Sequence, residues 1–310
     1  MTPRILITGA TGFIGSRVTA AARATPGVRL RLMSHRTALD AAAAGPGFET
    51  VYGDLADPGS LRGSCEGVDA VIHCASLIGS DQQTARTVND HGTRALVDEA
   101  VRSGVGRIVQ LSTASVYGRG PFTELLPGAA EPAPASATSL TRVAAEQHVL
   151  AAGGAVLRPH IVYGAGDRWA IPGLVALLRY LEAAPAGCDA RHSLIDVETL
   201  GRALLGAALA PKPPSGVYHV NHPEPVSCSD LLSTVLGALG LPWAGAEIGL
   251  DEARARLAGV PYATHHFEML TVDHWFADER VRQEFGCDPG PDFRTSFAAH
   301  APWYRKFLDR

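Results

Sequence analysis

The chain has 310 residues, 46% of them hydrophobic and 19% charged, a balance that supports a packed globular core and argues against disorder. Its formal net charge of −4 leaves no electrostatic footprint for nucleic acid or an anionic membrane surface, and no apolar run approaches the ~20 residues that span a bilayer. The five cysteines are scattered and form no C-x-x-C pair, and the twelve histidines include no H-E-x-x-H, so free thiols in a reducing cytoplasm and no metal site are expected.

The chain enters a strand-like segment at once, with no charged leader and cleavage site, so no signal peptide is read and a cytoplasmic location is expected. RILITGATGFIG (4–15) places the apolar run Ile5-Leu6-Ile7, suited to a strand buried on both faces, before a turn with glycines at 9, 12 and 15. The helical pattern SRVTAAARAT follows, with Val18 and Ala21-Ala22 inward. Gly9 permits the tight turn, Gly12 admits a pyrophosphate to the backbone, and Gly15 lets helix and strand pack closely. The helix N-terminus then offers N–H groups and a positive dipole end to phosphates. Gly9, Thr11, Gly12, Phe13, Ile14 and Gly15 are the expected cofactor contacts.

VRLRLM (28–33) is the next strand. A carboxylate at its end would hold the ribose 2′-hydroxyl of NAD, but the chain reads Ser34-His35-Arg36. A hydroxyl and an arginine suit a 2′-phosphate, so NADP(H) is favoured over NAD(H). In VYGDLAD (51–57), Asp54 can accept from an adenine amino group and the backbone beside Leu55 can touch the ring. DAVIHCAS (69–76) is a buried strand ending in small residues, Ala75 among them, where a cofactor would pass. ARTVNDHGTRALVDEAVRSG is a long helix with Val88, Leu96, Val97, Ala100 and Val101 along one face, stopped at Gly104. The strand RIVQLS (107–112) leads into TASVYG, and the Gly/Pro/Ala-rich loop 118–136 either borders a site or merely connects.

These motifs, in this order, resemble the extended short-chain dehydrogenase/reductases, the superfamily of NAD-dependent epimerases and dehydratases. The likeness continues through LRPHIVYGAGD (157–167), RHSLIDVETLGRAL (191–204), GVYHVNHPEPVSCSDLL (216–232) and ADERVRQEFGCDPGP (277–291), nearly the whole chain. It implies an α/β, Rossmann-like, doubly wound parallel sheet, with a dinucleotide-binding domain over 1–166, return strands near 192–197 and 216–220, and a mainly substrate-binding region over 167–310. Family members use a Ser/Thr, a Tyr and a Lys. By resemblance Thr113 takes the hydroxyl position that steadies a substrate oxygen, but Thr138 stands in the tyrosine's place and Arg142 in the lysine's, with Glu146-Gln147 as the anchor after them. No other tyrosine has a lysine or arginine four residues on. Threonine is no useful acid, and arginine stays charged, able to hold a ribose but not to shuttle a proton.

Within the family, ketoreductases of aromatic polyketides, the simocyclinone type among them, are the likeness for a missing pair. They imply an oxidoreductase of antibiotic biosynthesis: an NADPH-dependent reductase of an apolar, polycyclic aromatic ketone whose proton comes from the substrate. Two alternatives remain open: a non-catalytic sensor of NADP(H), and an epimerase- or dehydratase-like enzyme of nucleotide sugars with a relocated acid at Tyr117, Tyr163 or His192. The apolar stripe Trp169, Ile171, Leu174, Leu177, Leu178, Leu181 is either a substrate wall or core. The expected partner is a small apolar ketone, and oligomeric state is left open.

Overall fold

The structure is a computed structural model that describes residues 2–35, 47–243 and 245–309. Arg36, expected at the adenosine end, lies outside the described residues.

The strands β1 (Arg4–Thr8), β2 (Arg29–Ser34), β3 (Phe48–Tyr52), β4 (Ala70–His73), β5 (Arg107–Leu111), β7 (Ala155–Arg158) and β12 (Gly216–His219) form one seven-stranded sheet in the order β12-β7-β5-β4-β1-β2-β3. Every pairing in it is parallel. The chain therefore folds as the Rossmann-like, doubly wound sheet that its buried apolar runs imply. Alternate strand residues face opposite layers, as a period of two requires. Ile5, Ile7, Ile72, Val109 and Leu157 join one core, while Leu6, Val71, Ile108 and Val156 join the other.

The first core is roofed by α1 (Gly15–Arg23), with Val18 and Ala22 buried and Ala21 partly so, and by the later helix Val197–Leu209. The second lies under a helical stretch with an irregular middle: α2 (Gln82–Ala85), a π-helical segment Arg86–His91, and α3 (Gly92–Arg102). Leu96, Val97 and Ala100 are buried with Thr93 on its inner stripe, and Val101, placed on that face by periodicity alone, is 59% exposed. Helix α4 (Ala137–Ala151) packs beside it, opened by a capping box in which Ser136 and Ser139 satisfy each other's backbone N–H groups.

The expected return near 192–197 needs correction. Its residues divide between β10 (Arg191–His192), in a four-stranded sheet ordered β13 (Val226–Ser227), β10, β15 (His274–Phe276), β6 (Phe122–Leu125), and β11 (Leu194–Asp196), which pairs with β8 (Ile161–Tyr163) outside the large sheet. What returns to the large sheet there is the helix that follows, capped by Asp196, whose carboxylate accepts from the N–H groups of Glu198 and Thr199. The return at 216–220 is a true sheet strand, β12.

Loop 118–136 is anchored. Its strand β6 (Phe122–Leu125) pairs with β15 (His274–Phe276). A separate apolar core gathers α5 (Ala170–Leu181), α7 (Cys228–Leu239) and the C-terminal helix Phe293–Leu308, with Phe267, Phe297 and Tyr304 at its centre, while α6 (Val197–Leu209) belongs to the first sheet core. All five cysteines are free thiols. No described helix is long and apolar enough to cross a membrane.

Candidate active site

The glycine turn sits at the C-terminal end of β1, where parallel sheets bind ligands. Gly9 has φ of +66°, and a Cβ on it would lie 2.8 Å from the backbone nitrogen of Ala75. A Cβ on Gly15 would fall 2.1 Å from the Gly9 carbonyl oxygen. Gly12 closes the turn by donating its N–H to that oxygen at 2.9 Å. The Phe13 ring packs over Gly166, where a Cβ would come within 3.0 Å of it. No side chain caps the start of α1 and no acidic residue lies in its first turn. The cradle of Gly9, Thr11, Gly12, Phe13, Ile14 and Gly15 thus fits a dinucleotide pyrophosphate, offering close backbone approach and unneutralised helix dipole.

A buried relay fixes this turn to the next strand. Thr8 Oγ1 accepts from the Ala75 N–H at 3.2 Å and pairs with His73 Nδ1 at 2.7 Å, and His73 Nε2 meets Thr93 Oγ1 at 2.9 Å. Burial, then the charge of Arg142, pushes the His73 imidazole down to about 4, so it is neutral at physiological pH.

At the other end of the cradle, Ser34 closes β2 and its carbonyl accepts from Gly53 N–H at 3.0 Å. The Asp54 carboxylate accepts from Ala56 N–H at 2.8 Å and lies 3.0 Å from His35 Nε2. Leu55 is buried, its carbonyl pressed under α3 where a Cβ on Gly92 would be 2.5 Å away. Ser34, Asp54 and Leu55 are thus brought together at the C-terminal ends of β2 and β3.

Thr113 ends β5. Its hydroxyl accepts from Ser115 N–H at 3.2 Å and reaches Ser115 Oγ at 3.1 Å, so part of its capacity is used locally. Thr138 and Arg142 stand one turn apart on α4, both half-buried. Among the described residues the Arg142 guanidinium makes no hydrogen bond. Burial lowers its pKa from the usual arginine value, against the opposing pull of Glu146 one turn on. Glu146 belongs to a buried network: it accepts from Ser112 Oγ and from Arg158, whose guanidinium lies 4.7 Å over the Tyr117 ring. The Tyr117 hydroxyl meets His219 Nε2 at 2.8 Å, and His219 Nδ1–H donates to Leu125 O at 2.9 Å.

The candidate relocated acids are occupied. Tyr117 and Tyr163 are buried, and burial raises both phenols above their ordinary range. His192 gives its Nε2–H to the Leu270 carbonyl at 2.9 Å and is pushed by burial down to about 4.

A cavity of about 230 Å³ opens beyond the end of β7, its wall made by Ile161, Ile171, Leu174, Leu177 and Met269 and by the histidines His160, His192, His265 and His266. Its His160 follows Pro159, whose carbonyl accepts from Ala114 N–H at 2.7 Å. The α5 stripe divides: Ile171, Leu174 and Leu177 line this cavity, Leu178 and Leu181 are sealed in the core, and Trp169 is exposed beside a cleft at the glycine turn. Arg168 lines that same cleft, and Arg179 donates to the Leu308 carbonyl, so neither faces the smaller cavity.

Two residues escaped the sequence reading. Asn89, buried in the π-helical turn, exchanges hydrogen bonds with both backbone groups of Leu77 (2.7 and 3.0 Å) and donates to Thr141 Oγ1 at 3.1 Å, tying the loop after β4 to α4. His160 sits within LRPHIVYGAGD (157–167), where nothing local marks a histidine after Arg-Pro as a cavity wall.

Residues 5–178 match the sequence profile of the NAD dependent epimerase/dehydratase family. The chain belongs to that family. An NAD(P)-dependent oxidoreductase activity and a nicotinamide dinucleotide cofactor go with this membership, and the glycine cradle is where the family's cofactor fits this chain. Among its relatives, a 2-alkyl-3-oxoalkanoate reductase of Stenotrophomonas maltophilia (strain K279a) is 30% identical, the alignment covering 92% of this chain and 94% of that protein. A 3 beta-hydroxysteroid dehydrogenase/Delta 5-->4-isomerase of Mycobacterium tuberculosis is 26% identical over 99% of this chain and 92% of its own. In fold, this family member resembles the Bordetella bronchiseptica enzyme WbmH, solved with NAD+, at a TM-score of 0.77 and 22% identity over 99% of this chain and 100% of that one.

Proposed function

We propose that the protein reduces a ketone on an apolar, polycyclic aromatic substrate, with NADPH as reductant and the proton drawn from a substrate hydroxyl beside the carbonyl. The observation that carries this reading is the largely aliphatic cavity that His160 lines, one residue on from the Pro159 carbonyl that holds the Ala114 N–H, together with an α4 that offers Thr138 and Arg142 in place of a phenol and an amine. The relatives named for a 2-alkyl-3-oxoalkanoate and a 3 beta-hydroxysteroid support it, since both names denote a carbon–oxygen centre on a largely hydrocarbon skeleton.

A nicotinamide dinucleotide bound in the glycine cradle supplies hydride. Arg142, charged and without a hydrogen bond among the described residues, holds the ribose side. Ser34 closes β2 without a carboxylate and Arg36 follows, which favours a 2′-phosphate. Thr113 Oγ1 steadies the carbonyl oxygen. Ile171, Leu174 and Leu177 keep water from the carbonyl, so that an internal hydrogen bond in the substrate is not exchanged for one to solvent.

NADPH and NADH oxidation should be followed with polycyclic aromatic ketones, matched with and without a hydroxyl hydrogen-bonded to the carbonyl. Turnover confined to the hydroxylated members, and faster with NADPH, is expected. A Thr138→Tyr, Arg142→Lys variant should extend turnover to the others. Equal rates with both sets would show that the protein supplies its own acid. Tight NADPH binding without any turnover would favour a cofactor sensor instead.

A further inference from the structure

Three imidazoles meet at the cavity, His160 and His192 in its lining and His274 packed against both. His192 and His274 are register partners on β10 and β15, and each is tied to backbone: His192 Nε2–H gives to Leu270 O at 2.9 Å, and His274 Nδ1–H gives to Val272 O at 2.8 Å. Both rings are nearly parallel to that of His160, at 17° and 10°, with centroids 6.2 and 5.4 Å away.

His160 differs from its neighbours. Its backbone N–H donates to Asn221 Oδ1 at 2.9 Å, but among the described residues its ring has no hydrogen-bond partner. That ring lines the cavity beside Ile161, Leu174 and Met269. Burial, reinforced by His192 and His274, holds its pKa well below the usual imidazole value. It is therefore neutral, and in either tautomer it has one N–H to donate and cannot act as a strong acid. The rest of the lining is aliphatic apart from His192, His265 and His266, and a ring N–H with no partner there is costly unless a ligand completes it. Its position is also specific. The carbonyl of Pro159, one residue earlier, holds the Ala114 N–H, so His160 stands beside the turn that carries Thr113.

We propose that His160 reads the hydroxyl of the substrate, its ring N–H donating to that hydroxyl's oxygen and leaving the hydroxyl proton aimed at the neighbouring carbonyl. This rests on the reading of the cavity as a ketone site. As hydride from the reduced nicotinamide dinucleotide forms the new C–H bond, the carbonyl π pair moves to oxygen and takes the hydroxyl proton. The O–H bond that breaks leaves an oxyanion, which the His160 N–H stabilises until water returns a proton. The substrate class is thus narrowed to apolar ketones with a hydroxyl adjacent to the carbonyl, and the O-methyl ether is excluded because it has no proton to pass.

The test uses the NADPH-bound protein with one polycyclic aromatic hydroxyketone, its deoxy analogue and its O-methyl ether. His160→Phe removes the donor and keeps a flat ring, while His160→Gln keeps an N–H. Wild-type protein should prefer the hydroxyketone in kcat/KM by about 100-fold, the order that a hydrogen bond to a developing oxyanion contributes. His160→Phe should lose most of that preference through kcat, and His160→Gln should recover part of it. Binding, read separately by quenching of protein fluorescence, should favour the hydroxyketone over the deoxy analogue about tenfold in the wild type and not in His160→Phe. If His160→Phe keeps the full preference while folded by circular dichroism, the proposal is overturned even if the protein is a reductase. Hydroxyl-selective binding that depends on His160, but with no turnover, would uphold the contact and overturn the reductase reading.

Discussion

Gly15 and Gly9 meet backbone to backbone, with no flexible side chain to yield. A methyl group at Gly15 would stand 2.1 Å from the Gly9 carbonyl oxygen, so the helix must shift away from the turn to admit it. Gly15→Ala is expected to weaken NADPH binding by about 100-fold or more, because the first-turn N–H groups move with the helix. Isothermal titration of the purified variant measures this, and unchanged affinity would show that the cradle does not hold the cofactor. The same glycines were legible from sequence, since their spacing, the strand before and the helix after all lie within a dozen residues. The roles at Thr138 and Arg142 were legible only as absences. What replaces the missing acid depends on His160, which reaches the cavity only through the pairing of β7 and β5 and the packing of α5, contacts that no local pattern encodes.

At the level of elements, the irregular helix between β4 and β5 does more than cover the sheet. Its π-helical turn carries Asn89 inward, and the Asn89 side chain holds Leu77 through both backbone groups and Thr141 on α4. Such single-turn π segments are where a helix re-aims a side chain. Periodicity read the segment as one regular helix, because an amphipathic stripe persists on either side of the extra residue. Asn89→Leu leaves the part-buried Leu77 N–H without its partner and removes the link to α4. It is expected to cost roughly 2–4 kcal/mol in urea unfolding and to lower kcat, as the loop after β4 loses its tie to the helix that bears Arg142. A fully active, equally stable Asn89→Leu protein would refute this placement.

For the whole molecule, pH sensitivity follows from imidazoles folded in neutral form. His73, His192 and His219 lie in three different regions, each with its pKa pushed down to about 4, chiefly by burial. In the unfolded chain each titrates near 6.5. Above that value neither state is protonated and the groups leave stability unchanged. As the pH falls below about 6.5 the unfolded chain takes up protons that the folded one refuses, so stability drops until about pH 4, where the folded forms protonate as well. Each group accounts for about 3 kcal/mol over that window. Thermal unfolding should give a nearly constant Tm between pH 7 and 8 and a steep fall from pH 6 toward pH 4.5. A Tm independent of pH across that range would contradict neutral burial.

The position of β12 has a consequence for synthesis. β7 lies at residues 155–158, but the strand that completes its hydrogen bonding is made only at residues 216–219, after β8, α5 and the helix Val197–Leu209 have been threaded through. While the ribosome translates the intervening segment, the emerging sheet ends in an open ladder whose Val156 and Leu157 side chains are fully buried in the finished protein. A stalled or truncated chain from this interval would carry a ready template for pairing with another nascent chain. The elongation rate between those two strands thus bears on yield as much as the stability of the completed fold does.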